Sequence, residues 1–270
     1  MPTFIRPPAV AGRFYSNNPD ELLREVRGYT DVTGEKLCAI GCVVPHAGYL
    51  YSGHVAGAVY ARLELPKTFI ILCPNHTGVG QPLAVMSEGA WMTPLGNVRV
   101  DRDLANALMQ SFPQLSEDPV AHSAEHALEV QLPFLQALAD DFSFVPITLG
   151  VGQVELLEAL GEAMARVISA QEHPALIVSS SDMNHYESDK ITRVKDHKAI
   201  EQILALDARG LFDVVKRENI SMCGYAPTVA MLTAARRLGA RRAQVIKYGT
   251  SGDISGDREL VVGYAGIAVI

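Results

Sequence analysis

Three histidines each stand just past a short apolar run. They are His46 in Pro45-His-Ala-Gly-Tyr49, His76 in Pro74-Asn-His-Thr-Gly78 and His185 in Ser181-Asp-Met-Asn-His185. A packed core histidine belongs inside an apolar run. These three follow one, beside the glycine, proline and small polar residues that make tight turns. Their shared placement predicts one common site. Imidazole is neutral near pH 7 and offers one lone pair, so it is the commonest metal ligand. Cys223, in Ser221-Met-Cys-Gly-Tyr-Ala-Pro227, suits the same chemistry. Pro227 marks the first turn of a helix, and a cysteine just ahead of a helix N-terminus has its thiolate favoured by the dipole. The plainer reading of Cys223 is a free thiol in a loop. Cys38, Cys42 and Cys73 flank, enter or end buried strands, and packing accounts for them.

A second cluster runs His122-Ser-Ala-Glu125-His126-Ala-Leu-Glu129. Glu125 and Glu129 are four apart and share one face of a helix over 125–138, kinked or restarted at Pro133. The motif H-E-x-x-H does not occur, which sets a zinc-protease reading aside. Two readings stay open: acids at the positive end of a solvated helix, or Glu125 and His126 reaching the site as supporting or acid/base groups. His54 lies on a small-residue helix that could line the crevice. Tyr49 and Tyr51 are close enough to His46 to contact a substrate, with packing the alternative. Asp253, in a glycine-rich stretch after a strand, is a candidate supporting carboxylate, with a surface turn as the bland reading.

The elements that must position these groups alternate. Apolar strands are expected at 39–45, 68–73, 83–87, 142–149, 175–180, 243–248 and 260–269. Helices are expected from Ser16, then at 53–63, 101–112, 125–138, 153–170, 191–205, 207–218 and 226–238. Asn18 precedes Pro19 and two acids, which is a helix start. The alternation predicts an α/β fold: a single domain over 1–270, with a mostly parallel or mixed central sheet and helices on both faces. In such sheets the functional crevice lies beyond the carboxyl ends of the strands, where the three histidines fall.

Composition narrows the function classes. The chain has 270 residues, 48% of them hydrophobic, and a formal net charge of −7. That is enough apolar material for one large core. An acidic chain without a basic run is a poor binder of nucleic acid or anionic membrane. No apolar segment follows the first charged residues as in a signal peptide, and no apolar run is long enough to span a bilayer. A cytoplasmic protein with reduced cysteines is therefore expected. G-x-G-x-x-G, Walker A, G-x-S-x-G and C-x-x-C motifs are absent, which removes dinucleotide, nucleotide, α/β-hydrolase and cysteine-cluster chemistry.

The order of motifs resembles the Memo family, also called AmmeMemoRadiSam system protein B. The markers are Arg6-Pro-Pro-Ala-Val-Ala-Gly-Arg-Phe-Tyr15, Pro45-His-Ala-Gly-Tyr49, Pro74-Asn-His76, Glu125-His-Ala-Leu-Glu-Val-Gln-Leu-Pro133, Ser180-Ser-Asp-Met-Asn-His185, Cys223-Gly224 and Val262-Gly-Tyr264. The resemblance implies a fold similar to the class III extradiol ring-cleaving dioxygenases, which use non-haem iron(II). It implies metal ligands at His46, His76 and Cys223, with Asp182 and His185 nearby. In those dioxygenases the third ligand is a carboxylate, and here a thiolate replaces it. Several family members carry a second histidine where this chain has Thr77. The family name implies radical SAM and AMMECR-type partners.

Three functions compete on these residues. The first is a metal-dependent redox enzyme holding iron(II) or copper, with His185 as general acid/base oriented by Asp182. The second is a binding module that captures a peptide or an anionic small molecule in the same crevice. The third is a zinc hydrolase, because two imidazoles and a thiolate also suit zinc with an open position. A homodimer is the commonest closed assembly for such a chain.

Overall fold

The computed structural model describes residues 4–270. In chain order its elements are β1 (Ile5–Arg6), α1 (Pro19–Thr30), β2 (Gly41–Val44), α2 (Tyr49–Arg62), β3 (Thr68–Pro74), β4 (Leu83–Val85), β5 (Ala90–Thr93), β6 (Gly96–Val100), α3 (Arg102–Ser111), β7 (Ser116–Glu117), α4 (Leu132–Leu138), β8 (Ser143–Leu149), α5 (Val154–Ser169), β9 (Ala175–Ser180), β10 (His185–Glu187), α6 (Asp189–Leu204), α7 (Ala208–Arg217), α8 (Tyr225–Arg237), β11 (Ala243–Thr250), α9 (Ser251–Ser255) and β12 (Val261–Val269).

One mixed sheet organises them, in the order β1-β5-β6-β8-β3-β9-β2-β12-β10. Its inner strands β6, β8, β3, β9 and β2 run parallel, and β12 closes against β2 antiparallel. Side chains alternate between the faces of a strand. On β3, Ile70 and Leu72 enter a core covered by α3, α5, α6, α7 and α8, while Phe69, Ile71 and Cys73 enter one covered by α1, α2 and α4. Of the inner strands, β8, β3, β9 and β2 are buried on both faces, which explains their largely apolar sequence, whereas β6 alternates buried and exposed residues. No helix among the described residues is long and apolar enough to cross a membrane.

The strands β3, β9 and β2 are neighbours and parallel, so all three end at one edge of the sheet. The segments bearing His76, Asp182 with His185, and His46 leave from that edge. Across the sheet's end, the turn leading into α8 brings Cys223 to meet them. Gly224 makes this approach possible, since any side chain there would run into Ser181 and the Ser180 carbonyl.

Most expected elements form. At α1, Asn18 Oδ1 accepts from the backbone N–H of Asp20 (3.0 Å) and Glu21 (3.1 Å), as a cap should. The expected helix over 125–138 does not form as one piece. A 3₁₀ turn at Pro119–His122 is followed by a loop, a second 3₁₀ turn at Glu129–Gln131, and then α4 with Pro133 in its first turn. The reason is that Glu125 and Glu129 turn inward and accept backbone N–H groups from other segments. The hairpin β5–β6 is an element that the apolar pattern does not announce.

Candidate metal centre

His46 sits on the turn after β2 and is buried. Its Nε2 lies 3.2 Å from Cys223 Sγ, and its ring stands edge-on to His76 with centroids 5.1 Å apart. One ligand atom from each of His46, His76 and Cys223 falls within 4.8 Å of the others. Behind each ring the other nitrogen is engaged. His46 Nδ1 is 3.0 Å from Ser180 Oγ, and His76 Nδ1 is 2.9 Å from Glu125 Oε1. His46 thereby turns Nε2 toward Cys223, and with Nδ1 taken by Glu125 the nitrogen His76 has left to offer is Nε2, as second-sphere partners of metal-binding histidines commonly arrange.

Glu125 is fully buried and holds the His76 turn twice, because the His76 backbone N–H also donates to it at 2.6 Å. The Ala127 N–H donates to it at 2.9 Å. Burial works against a charge on Glu125. The His76 ring and these backbone N–H groups outweigh it and hold the carboxyl at about 2. His126 stacks on His76 (4.8 Å between centroids, 19° between planes) and meets His46 edge-on at 5.6 Å. Both Glu125 and His126 thus lie at the cluster, which the sequence left open. His76, Glu125 and His126 form a second set of converging ligand atoms. Glu125 already accepts three N–H groups, so the first set is the better cation site.

Burial, followed by the charges of His76 and His126, pushes His46 well below the usual histidine range. Burial likewise lowers His126. These rings are neutral and carry lone pairs. Cys223 departs from expectation: burial and then Asp182 push its thiol up, against the dipole of α8. A cation at the His46–His76–Cys223 point would supply the opposite charge that the thiolate lacks. The donor set therefore fits a metal ion.

Asp182 has a different task from the expected one. Its Oδ1 accepts the His46 backbone N–H at 2.8 Å, and its own N–H donates to Cys223 Sγ at 3.3 Å. The group that orients His185 is the Ser221 carbonyl, 2.9 Å from His185 Nδ1, with the Ser221 hydroxyl accepting the His185 N–H at 2.7 Å. Asn184 joins these pieces, with its Oδ1 accepting the Ser221 N–H and its N–H donating to Asp196. Directly after His185, Tyr186 takes φ 59°, a left-handed backbone that non-glycine residues seldom adopt and that marks strain beside a site.

Three expected contributors lie elsewhere. Tyr49 is buried at the start of α2, donates to the Val130 carbonyl (2.6 Å) and packs against Tyr15, Tyr29 and Phe134. Packing, the alternative reading, is its place. His54 is half-buried, with Lys247 and Asp253 as its charged neighbours. Asp253 pairs with Arg193 (2.8 Å) and Arg258 (2.9 Å) and accepts the Thr250 N–H. His54 and Asp253 therefore belong to a separate polar group at the end of β11.

Sequence reasoning missed a buried arginine. The Arg6 guanidinium donates to Glu129 (2.7 Å), the His122 carbonyl (2.6 Å) and the Glu125 carbonyl (2.8 Å), and lies 4.0 Å over the Trp91 ring. Glu129 also accepts from the N–H groups of Ala9 and Val10 and from the Tyr15 hydroxyl. The N-terminal segment thereby anchors the loop carrying Glu125 and His126. Ser180 and Gln131 were missed as well. All three lie inside motifs quoted above, and a buried polar residue in such a motif is the only signal they give.

The family model for Memo-like proteins matches residues 6–268. The chain is similar to a MEMO1 family protein of Methanopyrus kandleri, 42% identical, with 97% of this chain and 98% of the relative covered. It is similar to one of Methanosarcina barkeri, 43% identical over 98% of this chain and 100% of the relative. A third, from Methanosarcina mazei, is 44% identical over 98% and 99%.

Proposed function

The chain belongs to the Memo-like family, and we propose that it is a metal-dependent redox protein whose single ion is held by His46 Nε2, His76 Nε2 and Cys223 Sγ. The observation that carries this reading is the convergence of one ligand atom from each of these three residues within 4.8 Å, with each imidazole supported from behind. Iron(II) or copper suits an imidazole–thiolate set and supplies electron transfer to a bound ligand. The chain's own groups do the rest. Glu125 fixes the His76 ring, Asp182 fixes the His46 backbone, and His185, held at Nδ1 by Ser221, moves a proton to or from the ligand through Nε2.

An anion-binding module is less well supported. The charges acting most on His46, His76, Asp182 and Cys223 come from histidines and acids, with no lysine or arginine among them. A phosphorylated or carboxylate ligand would lack the cationic side chains that normally receive it. A small uncharged molecule, or a peptide presenting one, fits the surroundings better.

The test is metal analysis of anaerobically purified protein beside Cys223→Ser. Near-stoichiometric iron or copper, lost in the variant, is the expected result. Stoichiometric zinc would replace the redox reading by hydrolysis, and an absence of metal in folded protein would overturn both. Affinity should also rise with pH, because binding must release the proton that burial and Asp182 hold on the thiol.

A further inference from the structure

Ser180 sits at the end of β9 and is fully buried. Three groups surround its hydroxyl: the Ala127 carbonyl at 2.6 Å, Gln131 Nε2 at 2.9 Å and His46 Nδ1 at 3.0 Å. A hydroxyl has one proton to give and two lone pairs to receive with. A carbonyl can only accept, so the short contact to Ala127 takes the Ser180 proton. The two lone pairs then face Gln131 and His46.

The polarity of Gln131 is fixed in the same way. Its Nε2 lies 2.9 Å from the Pro45 carbonyl, which again can only accept. Its Oε1 lies 3.0 Å from the Tyr60 hydroxyl, which donates to it. A flipped amide would set two acceptors against each other at Pro45 and again at Ser180 Oγ, whose proton is already given to Ala127. The assignment of amide and imidazole protons is normally a choice among networks. Here two backbone carbonyls at opposite ends leave only one consistent choice.

We infer that Ser180 and Gln131 are positioning residues that lock His46 as the tautomer protonated at Nδ1, so that its lone pair is at Nε2 and faces Cys223 before any ion arrives. A histidine without such a support exchanges its proton between the two nitrogens and offers the wrong one part of the time. The lock removes that loss by geometry, with no charged group. Its worth to metal binding rests on the reading of the site given above, whereas the tautomer itself is a property of the metal-free chain.

The experiment has two arms for that reason. In the first, metal-free wild-type protein labelled with ¹⁵N-histidine is examined by long-range ¹⁵N–¹H correlation, with His46 assigned by its loss in His46→Gln. The expected pattern is a protonated Nδ1 and an unprotonated Nε2. A proton on Nε2, or an even mixture, overturns the inference whether or not the protein binds metal. In the second arm, Ser180→Ala is compared with wild type for affinity toward the ion that metal analysis identifies, with the thermal midpoint recorded beside it. The expected result is a His46 tautomer mixture and an affinity about 10–100-fold weaker, as loss of a second-sphere partner typically gives. An unchanged affinity in a variant whose tautomer has become mixed would refute the functional half. If wild type binds no metal, the site reading fails and the first arm alone decides the lock.

Discussion

The two histidines of the cluster offer the same atom to the same point, yet they are held by opposite means. His46 leans on a neutral chain of hydroxyl, amide and phenol: Ser180, Gln131 and Tyr60. His76 leans on a buried carboxylate, Glu125, whose loop is tied in turn to the buried Arg6–Glu129 pair. The neutral support orients without adding charge. The ionic support also makes its imidazole more basic, and the electrostatics reflect this. His46 is pushed well down by burial, whereas at His76 burial is overcome by Glu125 and the ring is raised. A shared site can thus be built from one arm whose imidazole stays neutral into acid and one whose ionic support is lost there.

Losses should be largest on the charged side. Arg6→Leu should cost about 3–5 kcal/mol in urea unfolding, because it strands Glu129 as an unpaired buried charge. A loss below about 1 kcal/mol would mean that the N-terminal anchor does not hold the His76 side. Glu125→Gln comes next. The carboxyl sits at about 2 against an ordinary 4.5, so its folded value is the lower one. Its stabilisation, about 3 kcal/mol, is then fully present above 4.5 and drains as pH falls toward 2. The variant should lose that much near neutrality and show a flatter acid limb in an unfolding series. The raised His76 is the same pair seen from its other end, so its share is not added.

The neutral arm should respond less. Ser180→Ala is expected to lower stability by about 1–2 kcal/mol, the usual result of leaving buried partners unpaired, with little change in pH dependence. A pH profile that changed as much as in Glu125→Gln would erase the distinction between the arms. The smallest effect belongs to Asp253→Asn. Its pairs with Arg193 and Arg258 are partly exposed, so less than about 1 kcal/mol should be lost. Bound metal should be unchanged, and a drop would return Asp253 to the site.

What was legible in the sequence follows the same division. His46 and His76 could be read as neighbours because each follows an apolar run, and parallel strands must end somewhere together; the same pattern gave His185, whose partner is Ser221. The supports could not. Ser180 meets His46 across 134 positions and Gln131 across 49, and no local pattern records such pairings. Glu125 and Glu129 misled because their four-residue spacing fits a helix, whereas burial turned both inward. Cys223 was found by its place before a helix, but the sequence could not reveal the depth of burial that opposes its ionisation. Tyr49 was near His46 along the chain and still belongs to the packing under α2.

The order in which the chain leaves the ribosome gives these separations a further meaning. His46 and Cys223 are 177 positions apart, and Arg6 waits 123 positions for Glu129. The nascent polypeptide therefore carries its first histidine and its N-terminal arginine long before their counterparts exist. Contacts of such long range carry the largest loop-closure cost and cannot form before both partners have emerged. The cluster of His46, His76 and Cys223 is thus assembled only after Cys223 has emerged, well behind the histidines it meets.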